Sequence, residues 1–244
     1  MKILGIDTTG QTASAALIED DELLAEVTLN YKLNHSQTIM PIIAQVLEQT
    51  ETDRATIDYI ACAAGPGSFT GLRIGAATAK GLALALDKPI VAVPTLDALA
   101  YNMLECRKFI CPIMDARRNQ VYAAFYMWED GKLIRLTDHM AEPIERIIEI
   151  AEMLESEVMF LGDGVAVHRE KLQQNPEFLF APANCSLQRG ASVAALGKML
   201  AEEGLAKPSD AFELIYLRKS QAEREREERL QKEAEEKVKE DTAE

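Results

Sequence analysis

The hydrophobic pattern of this chain switches from a period of two to a helical period and back, and then does so again in nearly the same order. That double alternation restricts the chain to layered α/β architectures. Residues 2–6 form a short apolar run, Asp7-Thr8-Thr9-Gly10 reads as a turn, and residues 12–18 and 23–29 are further extended runs separated by Asp20-Asp21. From Asn34 the spacing changes. Ile39, Ile42, Ile43, Val46 and Leu47 fall on one face of a helix, which Pro41 is expected to kink. A buried strand over 57–63 follows, then a helix capped by Ser68 and running to about residue 86, a strand over 89–93 and a helix over 96–104.

The second half repeats the plan. Strands are expected over 109–114, 121–128 and 133–137, then a helix over 142–154, a strand over 158–161, a turn at Gly162-Asp163-Gly164 and a closing helix over 191–202. Three strands, a helix, a strand, a helix and a strand are the order of a ribonuclease-H-like unit, so two such units with a cleft between them are predicted. The expected divisions are an N-terminal subdomain over 1–105, a C-terminal subdomain over 106–217 and a tail over 218–244. In the tail, acid-first pairs such as Glu225/Arg229 and Glu233/Lys237 read as a solvated helix with too few apolar residues for a core.

Composition narrows the function. Against 26 Lys+Arg stand 40 Asp+Glu, a net charge of -14, so unaided nucleic-acid binding is disfavoured unless a small basic patch or a partner supplies the charge. Arg117-Arg118, in an expected hairpin turn, is such a pair, although a solvated turn is the plainer reading. Four scattered cysteines form neither a metal site nor a disulfide framework. No run approaches the roughly 18 apolar residues of a membrane helix. A cytoplasmic protein without membrane contact is expected.

Three stretches could carry chemistry. Gly65-Pro66-Gly67-Ser68-Phe69-Thr70-Gly71-Leu72-Arg73-Ile74-Gly75 follows a strand and opens a helix, where free N–H groups favour an anion. It lacks the Gly-Lys-Ser/Thr ending of a Walker loop and the spacing of a nucleophile elbow, which leaves a tight turn and a phosphate loop equally open. Small residues recur through its helix at Gly71, Gly75, Ala79 and Ala83, a ridge that would let another helix approach. Asp7-Thr8-Thr9 and Gly162-Asp163-Gly164 end strands at what read as matching positions in the two units. They could mark a phosphate site, working or vestigial, or plain turns. His35, His139 and His168 have no second histidine at i+3 or i+4, and no nucleophilic triad can be assembled.

Ile6-Asp7-Thr8-Thr9, His35-Ser36, the long glycine motif, Ala79-Lys80-Gly81-Leu82-Ala83, Gly162-Asp163-Gly164 and Tyr216-Leu217-Arg218 together resemble the bacterial TsaB (YeaZ) family. The resemblance covers residues 1–218. It implies an actin-like ATPase (ASKHA) fold and a part in making threonylcarbamoyladenosine beside the anticodon of tRNAs that read codons beginning with A. It also implies a non-catalytic scaffold that binds the catalytic paralogue TsaD, is joined by the ATPase TsaE, and homodimerises when TsaD is missing. No cofactor of its own is implied, ATP being used by the partners, and tRNA is met only through the complex. The partner surface carried over consists of Ile39, Ile42, Ile43, Val46, Leu72, Arg73, Ile74 and Thr78. TsaD's metal-binding His-x-x-x-His has only His35 here, which argues against transfer chemistry in this chain. Arg189-Gly190-Ala191 offers one glycine where nucleotide-binding relatives have two. An ATP-dependent kinase or phosphotransferase of the same superfamily is the alternative, and a glycoprotease-like peptidase finds neither nucleophile nor metal pair.

Overall fold

The computed structural model describes residues 1–31 and 34–218, so the expected tail beyond Arg218 lies outside the described residues. Strands β1 (Lys2–Asp7), β2 (Ala13–Glu19) and β3 (Glu22–Leu29) form an antiparallel meander. Then come α1 (His35–Gln49), β4 (Tyr59–Gly65), α2 (Phe69–Leu86), β5 (Ile90–Pro94) and α3 (Thr95–Tyr101). β4 joins β1 in parallel and β5 joins β4 in parallel, giving the sheet order β3-β2-β1-β4-β5. The central strands are covered on both faces and read as apolar runs.

The second unit contains β6 (Phe109–Asp115), β7 (Gln120–Ala123), β8 (Tyr126–Glu129), β9 (Lys132–Arg135), β10 (Met140–Pro143), α4 (Ile144–Glu152), β11 (Val158–Leu161), α5 (Gly164–Leu172) and β12 (Phe178–Phe180), and α6 (Gly190–Glu202) follows it. Its order, β10-β7-β6-β11-β12, repeats the first strand for strand, with the β8-β9 hairpin as an insertion. The expected strand over 121–128 is broken in two. The Phe125 N–H bonds Thr137 Oγ1 at 3.0 Å while Phe125 enters the core. β10, α5 and β12 were not expected: β10 and β12 are too short to show a period, and α5 opens inside what read as a turn.

Three findings revise the sequence reading. Ile39, Ile42, Ile43, Val46 and Leu72 are 0–2% exposed. The four α1 side chains pack with Leu4, Ile6 and Leu17 in the core of the first unit. Each side chain so buried contributes about 1.5–3 kcal/mol to this chain's own stability, so none of the five can anchor a partner. The stripe of Gly71, Gly75, Ala79 and Ala83 is likewise buried and faces inward. Finally, the chain does not stay in the second unit to residue 217. α6 packs on β1 and β2, so closely that Gly190 lies against Ala15 and Gly5 against Gly190. Lys207 and Ile90 then exchange backbone hydrogen bonds at 2.8 Å, Phe212 enters the first core, and the Ile215 N–H reaches Ala64 O at 2.7 Å.

Candidate functional site: the interdomain cleft

A cavity of about 910 Å³ opens between the units. The turn after β1, the start of α2, the turn after β6, Asp163 and the segment from Ile215 to Arg218 line it. Asp115 and Asp163 make its lining acidic, and Asp7 lies buried at the end of β1. Asp7 is 1% exposed. Its Oδ1 accepts the Thr9 N–H (2.8 Å) and the Thr9 hydroxyl (2.7 Å), while Oδ2 has no partner among the described residues. Burial pushes this carboxyl up to about 6 against the pull of the Thr9 bonds, with the Asp163 charge adding to the rise. Asp163, also buried, is raised by desolvation, while its Oδ1 accepts the Asp115 N–H at 3.0 Å.

The glycine motif is used for close packing. The Thr8 hydroxyl donates to Gly71 O at 2.7 Å and the Ser68 N–H to Thr9 O at 2.7 Å, which fastens the start of α2 onto the β1 turn. A Cβ at Gly67 would lie 2.6 Å from Thr9 O, one at Gly71 would fall on Thr8 O, and one at Gly75 would lie 2.6 Å from Thr8 Oγ1. The Gly71 N–H bonds Ser68 Oγ, so the cap serves the helix itself. The motif thus forms a tight, closely packed turn at the start of α2.

Matching the sheets corrects the pairing of Asp7 with Asp163. β6 occupies the place of β1 and β11 the place of β4. The counterpart of Asp7 is therefore Asp115, at the end of β6. Gly162-Asp163-Gly164 instead follows β11, much as Pro66-Gly67 follows β4, and Gly65 and Gly162 both have a positive φ (116° and 100°). Asp115 was missed in the sequence, although the same signal was present: an apolar strand ending in an aspartate. Asp7 and Asp163 do come together at the cleft, from non-equivalent positions.

At the start of α6, where one glycine stands in Arg189-Gly190-Ala191, the backbone donors are already engaged. The N–H of Gly190 bonds Ser14 Oγ at 2.8 Å and that of Ala191 bonds Glu26 Oε1 at 3.0 Å, while Arg189 pairs with Glu26. A carboxylate of this chain thus already occupies the α6 N-terminus. Asp115 and Asp163 line the cleft, where phosphates would need cations. The terminal motif crosses the mouth: Tyr216 packs on Phe69 with centroids 5.0 Å apart and the rings tilted by 37°, and Arg218 Nη1 donates to Ala116 O at 2.9 Å. His35 Nε2 lies 2.9 Å from Gly10 O and helps hold the β1 turn. Among the described residues no group of three or more His, Cys, Asp or Glu is placed to hold a metal.

The two-helix face looks different from outside. On α2, Arg73, Ala77, Gly81 and Leu84 point outward; Leu84 is 77% exposed and nothing lies within 4 Å of a Cβ at Gly81. α1 packs beside α2 and adds exposed Met40 and Ala44. Of the expected contact residues, only Arg73 is exposed; Ile74 and Thr78 are half-buried.

A family model described as "TsaD: tRNA N6-adenosine threonylcarbamoyltransferase" matches residues 22–225. The tRNA threonylcarbamoyladenosine biosynthesis protein TsaB of Bacillus subtilis is 36% identical over 173 residues, 71% of this chain and 76% of that protein. Its Escherichia coli namesake is 33% identical, over 67% and 72%. A Pseudomonas aeruginosa structure described as similar to peptidase YEAZ superposes with a TM-score of 0.77 at 25% identity, covering 89% of this chain and 99% of that one.

Proposed function

The chain belongs to the TsaB family and has the doubled, actin-like ATPase fold; from that premise we propose that it is a non-catalytic scaffold in tRNA threonylcarbamoyladenosine biosynthesis. It binds and stabilises a TsaD-type catalytic paralogue and so allows a TsaE-type ATPase to join. It has no cofactor of its own, ATP being used by the partners, and it works in the cytoplasm. Among the described residues no helix is long and apolar enough to cross a membrane.

The observation that carries this reading is the outer face of α2. A helix that leaves Ala77, Gly81 and a largely bare Leu84 in one row is shaped for another helix to lie close against it. The aliphatic residues first carried over from the family are spent on the core, so the docking surface consists of their outward neighbours on the same two helices. Without the paralogue, the same face pairs with a second copy about a two-fold axis. The kinase alternative is weakened by Glu26, whose carboxylate already takes the Ala191 N–H at the start of α6.

Calorimetric titration with the TsaD-type paralogue, beside a parallel titration with magnesium-ATP, tests the proposal. Leu84→Glu is expected to weaken the complex roughly a hundredfold or more by burying an unpaired charge. Its unfolding midpoint should stay that of the wild type. An unchanged affinity would remove this face from the interface. Tight ATP binding without paralogue association would overturn the scaffold reading.

A further inference from the structure

The turn after β6 has an unusual backbone. Arg117, Arg118 and Asn119 are all left-handed, with φ of 65°, 54° and 61° and no glycine among them. The surroundings fix this conformation from several sides. The Ala116 N–H bonds Gln120 O at 3.0 Å and the Arg117 N–H bonds Asp115 Oδ1 at 2.8 Å. Asn119 is held by Glu145 at 2.9 Å, by Lys171 at 3.1 Å and by the Ile144 N–H at 3.2 Å. Backbone strain sustained in this way is typical of a segment that must present its side chains in one pose. What it presents is two exposed arginines; the Arg117 side chain is 87% exposed.

The rim beside this turn is aromatic. Tyr31, 75% exposed, and Tyr216, 43% exposed, line the same opening, with Phe69 between Tyr216 and the Arg73 guanidinium, which lies 4.0 Å from the Phe69 centroid. Cations that reach phosphates next to ring faces that stack bases are the two components of a single-strand nucleic-acid site. An acidic protein segment would use the arginines but has no need of the rings. Arg117 also pairs with Asp115 at 3.2 Å, so it screens that carboxylate from an approaching phosphate. In a chain of net charge -14 a patch of this kind supplies local contact without general affinity for RNA.

We propose that the Arg117-Arg118 turn and the Tyr216–Phe69 rim contact a single-stranded loop of the substrate tRNA when this chain is part of its complex. The arginines meet the backbone, and the exposed Tyr216 ring, backed by Phe69, takes a base. This rests on the proposed function, and it adds a direct RNA contact to a subunit otherwise read as a protein scaffold.

The test titrates a fluorescein-labelled anticodon stem-loop RNA into the complex with the TsaD-type paralogue, and into the chain alone, at several salt concentrations. The variant is Arg117→Gly with Arg118→Gly, which relieves the left-handed strain and so should keep the fold. It is expected to bind RNA at least roughly tenfold more weakly, with a salt slope smaller by about one to two, while co-eluting with the paralogue as the wild type does. Tyr216→Ala should cost roughly fivefold or more with the salt slope unchanged. RNA affinity equal to wild type in the double variant overturns the proposal. Loss of the paralogue in place of the RNA also overturns it and assigns the turn to a protein partner. If no complex forms even with the wild type, it is the scaffold reading that fails. The RNA contact then stands only if the chain alone binds the RNA and the double variant does not.

Discussion

The turns that follow β1 and β6 occupy the same place in two copies of one topology, yet they are built in opposite ways. Each follows a strand that ends in an aspartate, Asp7 or Asp115. In the first unit the turn is buried: Thr8 and Thr9 are 2% and 1% exposed, and three glycines let α2 press on them. In the second, Arg117 and Arg118 stand in solvent on a left-handed backbone braced by side chains of α4 and α5. After duplication, therefore, one copy has been closed by its own helix and the other left open. What distinguishes them is where the glycines of the packed helix fall: Gly71 and Gly75 bring α2 onto Thr8, whereas Gly162 and Gly164 at the start of α5 meet Ile113 within β6, short of the turn.

The largest effect is expected where that difference is removed. Gly71→Ala places a methyl on the Thr8 carbonyl oxygen, which is backbone and cannot swing aside. Chemical denaturation should show a loss of about 3 kcal/mol or more, or no folded protein. Ten residues along the same helix, Gly81→Ala meets open space and should gain about 0.5–1 kcal/mol from helix propensity. If both changes behaved alike, the first turn would not be held by close packing.

Next in size is Asp7→Asn. The folded-state value of about 6 lies above the ordinary 3.8. Protonation is therefore favoured by the fold, and the stability it brings is complete below about pH 4. That stability is lost as the pH rises through 6, so at pH 7 ionised Asp7 costs about 3 kcal/mol. Asparagine avoids that cost but places an unpaired N–H where Oδ2 now sits, at about 1–3 kcal/mol, so a net gain of up to about 2 kcal/mol is expected at neutral pH. Denaturation curves at pH 7 and pH 4 check it: the advantage should fade at the lower pH. An advantage independent of pH would mean that Asp7 is not the titrating group.

Much of this contrast was legible in the sequence. The strand meander, both long helices of the first unit and the repeated order follow from period and from Ser68 as a cap, because burial on one face leaves a regular trace. The direction of the α2 stripe did not. Gly71, Gly75, Ala79 and Ala83 are as compatible with a partner helix as with a sheet, and only the course of β1 and β4 beneath them decides. α1 posed the same problem, since Ile39, Ile42, Ile43 and Val46 show which face is apolar without saying whether the chain itself covers it. The site was less legible than the fold. Asp7 stood out, but its topological counterpart Asp115 and the return of residues 207–218 to the first unit depend on pairings distant in the chain.

The smallest expected effect bears on the open turn alone. A left-handed conformation costs a non-glycine residue about 1–2 kcal/mol, and Arg117 pays it at φ 65°. Arg117→Gly removes that cost and returns about 0.5–1 kcal/mol through the greater freedom of glycine in the unfolded chain. The ion pair with Asp115 is lost as well, but Arg117 is so exposed that this subtracts little. A net rise of about 0.5–1 kcal/mol should appear as an upward shift of the melting temperature of about 2 °C. A fall would mean that the arginine side chain braces the turn, and the second turn would then resemble the first in being built for its own stability. A rise leaves arginine at this position unexplained by stability, and its retention has to be sought in what the side chain touches outside the chain.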